Sequence, residues 1–138
     1  MAKLNRLDNH GTLTSQGNFV GSTGGTIHVE SGGHVDTFNN HGTVIGSNHG
    51  IVITEGGYLE NLNNQYGSKG ITADQGAIQV TGQDMSTNQK IVLNSIGTNA
   101  SSMRGKRNGI YIDDKGVIDT ITNQDGGVIQ GVCLVLQP

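Results

Sequence analysis

The histidines are the residues whose type could most readily do chemistry, because imidazole is the commonest metal ligand in proteins. All five lie within the first 49 residues: His10, His28, His34, His41 and His49. Zinc needs three or four converging ligands, but no H-x-x-x-H pair is present and the single cysteine, Cys133, lies far along the chain. We therefore expect exposed histidines in turns beside glycine, with no metal site and no cofactor.

Recurring carboxylates are the second group of residues that could take part in chemistry. They are Glu30, Asp36, Glu55, Glu60 and Asp119. Glycoside hydrolases use two carboxylates that flank the scissile bond, and Asp36, Glu60 and Asp119 share one position of the internal repeat described below. Such sites also need a cleft, usually with aromatic side chains against the sugar, and the chain has only three Tyr, two Phe and no Trp. We predict a non-enzymatic protein without catalytic residues; a polysaccharide lyase or glycoside hydrolase is the alternative.

Composition defines the broad class. The 138 residues suffice for one domain, spanning 1–138, and only 33% of them are hydrophobic, which favours a thin core. Glycine is abundant, at 23 residues, yet recurring apolar runs and a low charged fraction of 14% argue against disorder. The net charge of −3 argues against nucleic-acid binding. Arg104, Lys106 and Arg107 form a basic cluster, which we expect to be a solvated loop tip or, alternatively, a polysaccharide contact.

The candidate residues belong to an internal repeat. The segment LNRLDNHGTL at 4–13 returns as VDTFNNHGTV at 35–44, LENLNNQYG at 59–67 and IDTITNQDGGV at 118–128, with LNSIGTN at 93–99 as a weaker copy. The copies start at Leu4, Val35, Leu59, Leu93 and Ile118. A strand-like unit precedes several copies, for example GIVITEGGYL at 50–59 and GIYIDDKGVI at 109–118, in which apolar and polar residues tend to alternate.

Each unit has the pattern of a strand, a glycine turn, a second short strand, an Asn-Gly bend and a third short strand. The spacing of 24 to 34 residues is typical of solenoids, because a propeller blade needs about 40 residues and leucine-rich repeats need more leucine. The sequence predicts an all-β fold, a single-chain β-solenoid (a right-handed parallel β-helix) of about five coils. A β-sandwich or jelly roll is the alternative.

Stacking of coils about 4.8 Å apart places equivalent residues above one another. The apolar positions then form two internal columns, one through Leu4, Val35, Leu59, Leu93 and Ile118 and one through Leu7, Phe38, Leu62, Ile96 and Ile121. Glycine and asparagine suit the corners, because both adopt positive φ at low cost. Stacked asparagines also form amide ladders, and we predict one made of Asn9, Asn40, Asn64 and Asn123. His10 and His41 share a repeat position and are expected to stack.

The segments FNNHGTVIGSNHG and IDTITNQDGGVIQG resemble the passenger domains of bacterial autotransporters and related haemagglutinin-like surface proteins. Those families repeat phrases of the form I-x-x-I-x-N-x-G-x-I-x-G around a right-handed β-helix. The resemblance covers about residues 4–131 and implies a surface-exposed, often adhesive solenoid without a catalytic signature. The chain departs from the pattern in its few coils and in lacking an export signal and a C-terminal translocating barrel. The same sequence pattern is also similar to that of a phage or virion fibre segment or of a filament subunit.

The expected function of the protein follows from the two ends of the solenoid. Open ends template further strand pairing unless they are capped, and the segment 132–136 is apolar on both faces of any strand it forms. Its residues are the interface candidates Val132, Cys133, Leu134, Val135 and Leu136. We expect a structural or adhesive module that self-associates into a filament, fibre or surface assembly. The alternative is a carbohydrate-binding or carbohydrate-active β-helix, phage tail-spike-like or lyase-like, that uses the carboxylate face.

Location and partners follow from the same features. The start, MAKLNRLDNHG, has no apolar core of a secretory signal, and no run approaches the roughly 18 apolar residues of a membrane span. We expect an extracellular or cell-surface location, either as a fragment of an exported protein or as a phage- or virion-type structural protein. The expected partners are copies of the same chain and a host or cell-surface glycan, without nucleic acid or membrane insertion.

Overall fold

The computed structural model describes residues 2–15, 25–29, 32–54, 57–80, 91–112, 116–131 and 133–136. For 91–98, 116, 117, 119 and 133–136 it describes the backbone alone. These residues form fifteen strands and no helix. No helix long and apolar enough to cross a membrane therefore occurs in the described part of the chain.

The strands follow one another at short intervals, as the apolar runs and glycine turns predict. Their bounds are β1 Lys3–Asn9, β2 Thr12–Thr14, β3 Gly25–Val29, β4 His34–Asn40, β5 Thr43–Gly46, β6 His49–Ile53, β7 Tyr58–Asn64, β8 Gly70–Ala73, β9 Gly76–Val80, β10 Ile91–Asn99, β11 Ser102–Gly105, β12 Asn108–Ile112, β13 Gly116–Asn123, β14 Val128–Gln130 and β15 Cys133–Leu136. Every third strand, starting with β1, is long, at 7 to 9 residues, because it carries both apolar columns.

The strands are distributed in rotation over three sheets of five. The first sheet has the order β1-β4-β7-β10-β13, the second β14-β11-β8-β5-β2 and the third β15-β12-β9-β6-β3. All pairings between these strands are parallel. Three consecutive strands make one coil, so we number the coils 1 to 5, from β1–β3 to β13–β15. The predicted parallel β-solenoid is confirmed, and the sandwich alternative, which needs antiparallel sheets, is wrong. The right hand of the coil stays a prediction.

The register of the first sheet aligns the two predicted apolar columns. Leu4, Val35, Leu59, Leu93 and Ile118 are paired in succession, and so are Leu7, Phe38, Leu62, Ile96 and Ile121. In coil 3 both columns are closed off from solvent, since Leu59 and Leu62 are buried, and in coil 2 Phe38 is buried while Val35 is partly buried. The repeat therefore predicts correctly which residues lie above one another, because stacking depends on the repeat position alone.

The spacing of buried residues and a gap in the register indicate that the long strands bend in their middle. Inward-facing residues of a flat strand are two or four apart, but the buried residues of β7 are Leu59, Leu62 and Asn64. The residue that follows the first column, Asp36 in β4 and Glu60 in β7, has no paired partner in the register of any coil. A bend at this position explains why the apolar spacing of HVDTFNN matches neither a helix nor a plain strand.

The hydrophobic core is a narrow column enclosed by the three sheets, as the low apolar content predicts. Aliphatic side chains dominate its buried members, which are Val29, Phe38, Val44, Ile51, Ile53, Leu59, Leu62, Ile71, Ala77, Ile78, Val80, Met103 and Ile110. All five residues of β6 are buried, so both faces of this strand are covered. A polar residue on β6 consequently lies in an apolar environment, which matters for His49 below.

Candidate functional site

Five asparagines, one per coil, line the corner between the first and second sheets. The Nδ2 of each donates to Oδ1 of the next: Asn9 to Asn40 at 2.9 Å, Asn40 to Asn64 at 2.9 Å, Asn64 to Asn99 at 2.9 Å and Asn99 to Asn123 at 2.8 Å. The same amide also donates to a backbone carbonyl of the next coil, as from Asn64 to Ser102 at 2.9 Å. Each coil is thus joined to the next by two hydrogen bonds per asparagine, within the solenoid corner.

Asn99 belongs to this ladder although it is absent from the four predicted positions. It lies six residues after Leu93, whereas the other asparagines lie five residues after the first residue of their copy. A bulge absorbs the extra residue, since the register of β10 shifts between Ile96 and Asn99. An alignment of LNSIGTN that allows one inserted residue identifies this position.

A second, shorter row of hydrogen bonds runs along the outside of the same strands. Asn63 Nδ2 donates to Asn39 Oδ1 at 2.8 Å, and Asn39 Nδ2 donates to Asp8 Oδ1 at 2.9 Å. Hydrogen bonds from Arg6 first and from Asn39 second lower the pKa of the Asp8 carboxyl. This row is more exposed to water than the buried ladder, so its contribution to stability is smaller.

The outer face of β4 and β7, in coils 2 and 3, brings His34, Asp36 and Glu60 together on the surface. One imidazole nitrogen and one oxygen from each carboxylate all lie within 4.8 Å of one another. His34 Nε2 lies 2.8 Å from Asp36 Oδ1, and Lys3 Nζ lies 3.3 Å from Asp36 Oδ2. Tyr58 adjoins the cluster: its ring centroid is 4.5 Å from that of His34, and its hydroxyl donates to Glu60 Oε1 at 3.4 Å.

The structure brings together two of the three carboxylates that share this repeat position. Asp36 and Glu60 belong to adjacent coils, whereas Asn94 of coil 4 separates Glu60 from Asp119 of coil 5. Glu30, Glu55 and Val132 lie outside the described residues. His34 is the neighbour that the repeat alone does not identify, because the other coils have no histidine at its position.

The remaining histidines occupy different environments. His10 and His41 stack as predicted, with ring centroids 4.5 Å apart and planes 3° apart. The expectation of an exposed turn is wrong for His28, which lies in β3, and for His34, which is half-buried in β4. It is also wrong for His49, which is buried at the start of β6 because both faces of that strand are covered. Its Nδ1 has no well-formed hydrogen bond among the described residues. Burial lowers the pKa of His49, while the nearby Gly76 backbone acts in the opposite direction.

We expect His49 to make stability fall as the pH drops below about 6.5, the ordinary pKa of histidine. The unfolded chain takes up the proton at that pH while the folded protein resists it, so the unfolded state binds more protons and is favoured. The fall ends below the lowered pKa of folded His49. Urea denaturation between about pH 8 and pH 5 measures the effect.

His49→Asn is the matched variant for this measurement, because Asn108 occupies the same register position two coils away. The variant should lose less stability than the wild type over the same pH range. An equal loss in the two proteins would assign the pH dependence to other groups.

An open groove of about 280 Å³ lies against the second sheet. Ile45, Thr72 and Arg104, which are register neighbours in β5, β8 and β11, line it. Lys106 borders the groove, with its Nζ 3.1 Å from Asp74 Oδ1. The groove therefore offers an exposed, positively charged lining at the predicted basic cluster, with one of its cations already in an ion pair.

The sheets and the ladder define this chain as a single-chain parallel β-solenoid with an asparagine-laddered corner. Comparison of the sequence with models of protein families and with curated proteins finds no match, and neither does comparison of the structure with solved structures. The function is therefore inferred from the geometry of the chain itself.

Proposed function

We propose that this protein is a non-enzymatic structural module that self-associates end to end into a filament, fibre or surface assembly. The observation that carries this proposal is an apolar column that stays open to solvent at the first coil. Leu4 in coil 1 is 44% exposed, whereas Leu59 at the same position in coil 3 is 1% exposed. Apolar surface of this kind is stabilised when another layer covers it.

The first coil presents unpaired strand edges as well as apolar side chains. β1, β2 and β3 are the terminal strands of their sheets, so no described strand covers their outer edges. Leu7 and Leu13 are only partly buried there, while their register partners Phe38 and Val44 are fully buried. An exposed strand edge is a template for pairing with another chain.

The last coil presents the opposite edges. β13, β14 and β15 terminate the three sheets on this side. Ile129 is partly buried, whereas its register partner Met103 in coil 4 is fully buried. β15, Cys133–Leu136, contains four of the five predicted interface residues and pairs with β12 alone among the described strands. This coil can therefore accept a further layer on its outer side.

A second copy of the chain fits because the two ends carry complementary halves of the asparagine ladder. Among the described residues, Asn9 Oδ1 accepts only from the backbone N–H of Gly11, at 3.2 Å, and Asn123 Nδ2 donates only to the carbonyl of Gly127, at 3.0 Å. When coil 5 of one copy precedes coil 1 of the next, the ladder continues from Asn123 to Asn9. Thr12 of the second copy then supplies the backbone carbonyl for the other amide proton.

This contact is heterologous, since the first coil of one copy meets the last coil of another. Heterologous contacts generate open filaments unless the rotation between copies closes a ring. A filament of stacked coils is mechanically continuous, because every layer repeats the same parallel hydrogen bonding. The resemblance to autotransporter passengers supports a location at a cell or virion surface.

Light scattering across a dilution series, followed by negative-stain imaging, tests the proposal. We expect assemblies that dissociate on dilution. Leu4→Lys should raise the concentration needed for assembly by at least about 100-fold, because an unpaired charge in an apolar contact costs roughly 3 kcal/mol or more. Ile45→Lys is the matched control: Ile45 is 42% exposed, close to the 44% of Leu4, but it lies in coil 2, away from the outer edge of coil 1.

A protein that stays monomeric at high concentration would contradict end-to-end assembly. Assembly that is lost in Ile45→Lys and kept in Leu4→Lys would mean side-by-side contacts instead. Two separate features favour the alternative function, carbohydrate binding: the carboxylate pair on the first sheet and the groove beside Arg104 on the second sheet. Glycan binding that is lost in Asp36→Ala or Glu60→Ala, in a protein that does not self-associate, would support that alternative on the carboxylate face.

A further inference from the structure

His34, Asp36 and Glu60 form a cluster of metal-ligand atoms that self-association does not require. Against the sequence-based expectation of no metal site, we propose that these three side chains bind a divalent transition-metal ion, and that Zn²⁺ fits the ligand set best. Their ligand atoms lie within 4.8 Å of one another. Zn²⁺ binds imidazole nitrogen and carboxylate oxygen at about 2.0–2.2 Å, so ligand atoms on one ion are at most about 4.4 Å apart. Small side-chain rotations therefore suffice to close the site.

The solenoid positions the ligands without any dedicated loop. His34 and Asp36 flank Val35, which belongs to an inner column, so both lie on the outer side of β4. Glu60 occupies the position of Asp36 in the next coil, and adjacent strands are about 4.8 Å apart. Two ligands thus come from one strand and the third from its neighbour, which holds the cluster on a rigid sheet.

The charges of the cluster favour a cation. Asp36 and Glu60 are like charges on adjacent strands, an arrangement that destabilises a sheet unless it is compensated. Lys3 pairs with Asp36, but in the described part of the chain no lysine or arginine forms an ion pair with Glu60. The same position is asparagine in coils 1 and 4, where no such repulsion arises. A bound cation would neutralise both carboxylates at once.

The surroundings support an ion with mixed nitrogen and oxygen ligands. Tyr58 packs its ring against His34 and donates its hydroxyl to Glu60, so one residue orients two ligands. Ca²⁺ and Mg²⁺ prefer oxygen ligands alone, whereas imidazole suits Zn²⁺ and similar transition metals. Three protein ligands leave at least one coordination position for water or another group.

Calorimetric titration of the metal-free protein with Zn²⁺ tests the site. We expect one ion per chain, and we expect His34→Ala and Glu60→Gln to lose more affinity than the roughly 10- to 100-fold that removal of an outer-shell partner causes. Circular dichroism checks that the variants stay folded. Lys3→Gln should bind Zn²⁺ more tightly, because Lys3 competes for Asp36, and a merely destabilised variant does not gain affinity.

His41→Ala is the matched control, because it removes one imidazole of the stacked His10–His41 pair and leaves the cluster intact. Its affinity for Zn²⁺ should equal that of the wild type. Binding that is lost in His41→Ala and retained in His34→Ala would assign the ion to the stacked pair and overturn the proposal. Equal affinity in the wild type, His34→Ala and Glu60→Gln would overturn it as well.

Discussion

Asn64→Leu is expected to lower the free energy of unfolding by roughly 3 kcal/mol or more, because four polar partners each lose a hydrogen bond and each unsatisfied buried group costs about 1–3 kcal/mol. Asn64 is fully buried in the middle of the ladder. It accepts from Asn40 and donates to Asn99 and to the carbonyl of Ser102, each at 2.9 Å. Its Oδ1 also accepts from the hydroxyl of Ser68, at 3.3 Å. Leucine has the same branched shape and the same number of non-hydrogen atoms but forms none of these bonds.

Equilibrium denaturation in urea measures this loss. It is a large share of the total, since a domain is stable by only about 5–15 kcal/mol. We further expect the loss of unfolding free energy to exceed the sum for separate hydrogen bonds. The reason is that the ladder joins all five coils and each amide polarises the next.

Asn63→Leu is the matched control for the ladder. Asn63 is the preceding residue of β7, is only partly buried and donates to Asn39 on the outside of the sheet. Its replacement should cost no more than about 1 kcal/mol, the net value of one hydrogen bond near water. Equal losses in Asn63→Leu and Asn64→Leu would show that the buried ladder adds no more stability than a surface contact.

Gly70→Ala is expected to destabilise the protein by roughly 2–5 kcal/mol, from backbone strain and overpacking together. Gly70 begins β8 with a φ of +87°, a conformation that disfavours side chains. A Cβ there would also collide with the hydroxyl and the carbonyl oxygen of Ser102 in the next coil. β8 and β11 would have to separate, which weakens the hydrogen bonds of the second sheet.

Gly67→Ala separates the two causes. Gly67 has nearly the same φ, +83°, but no atom lies within 4 Å of the position its Cβ would take. This variant should therefore lose only the stability that the backbone strain costs, about 1–2 kcal/mol. Thermal and urea denaturation of both variants measure the difference, which is the cost of the collision with coil 4. Equal destabilisation of the two variants would mean that β11 yields to the added methyl without cost.

The sequence by itself determined the solenoid and its register. Leu59 and Leu62 recur at the same offsets in the other copies, and a parallel stack places equal offsets above one another. The corner asparagines share an offset as well, so the sequence alone predicts that Asn40 and Asn64 lie side by side. His10 and His41 likewise share an offset and stack. Repetition makes these contacts predictable, because they need only the period and no knowledge of distances.

Only the tertiary structure decided the features that break the repeat. Asn99 enters the ladder through a bulge, because a strand absorbs an extra residue when its neighbours on both sides hold the register. His49 is buried because both faces of β6 are covered, although its neighbours are typical of a turn. His34 meets Glu60 although the two have different offsets, because His34 and Asp36 share the outer face of β4 and Glu60 lies beside Asp36 on β7. Such contacts depend on local irregularities of single coils and on packing between distant segments, neither of which has a period in the sequence.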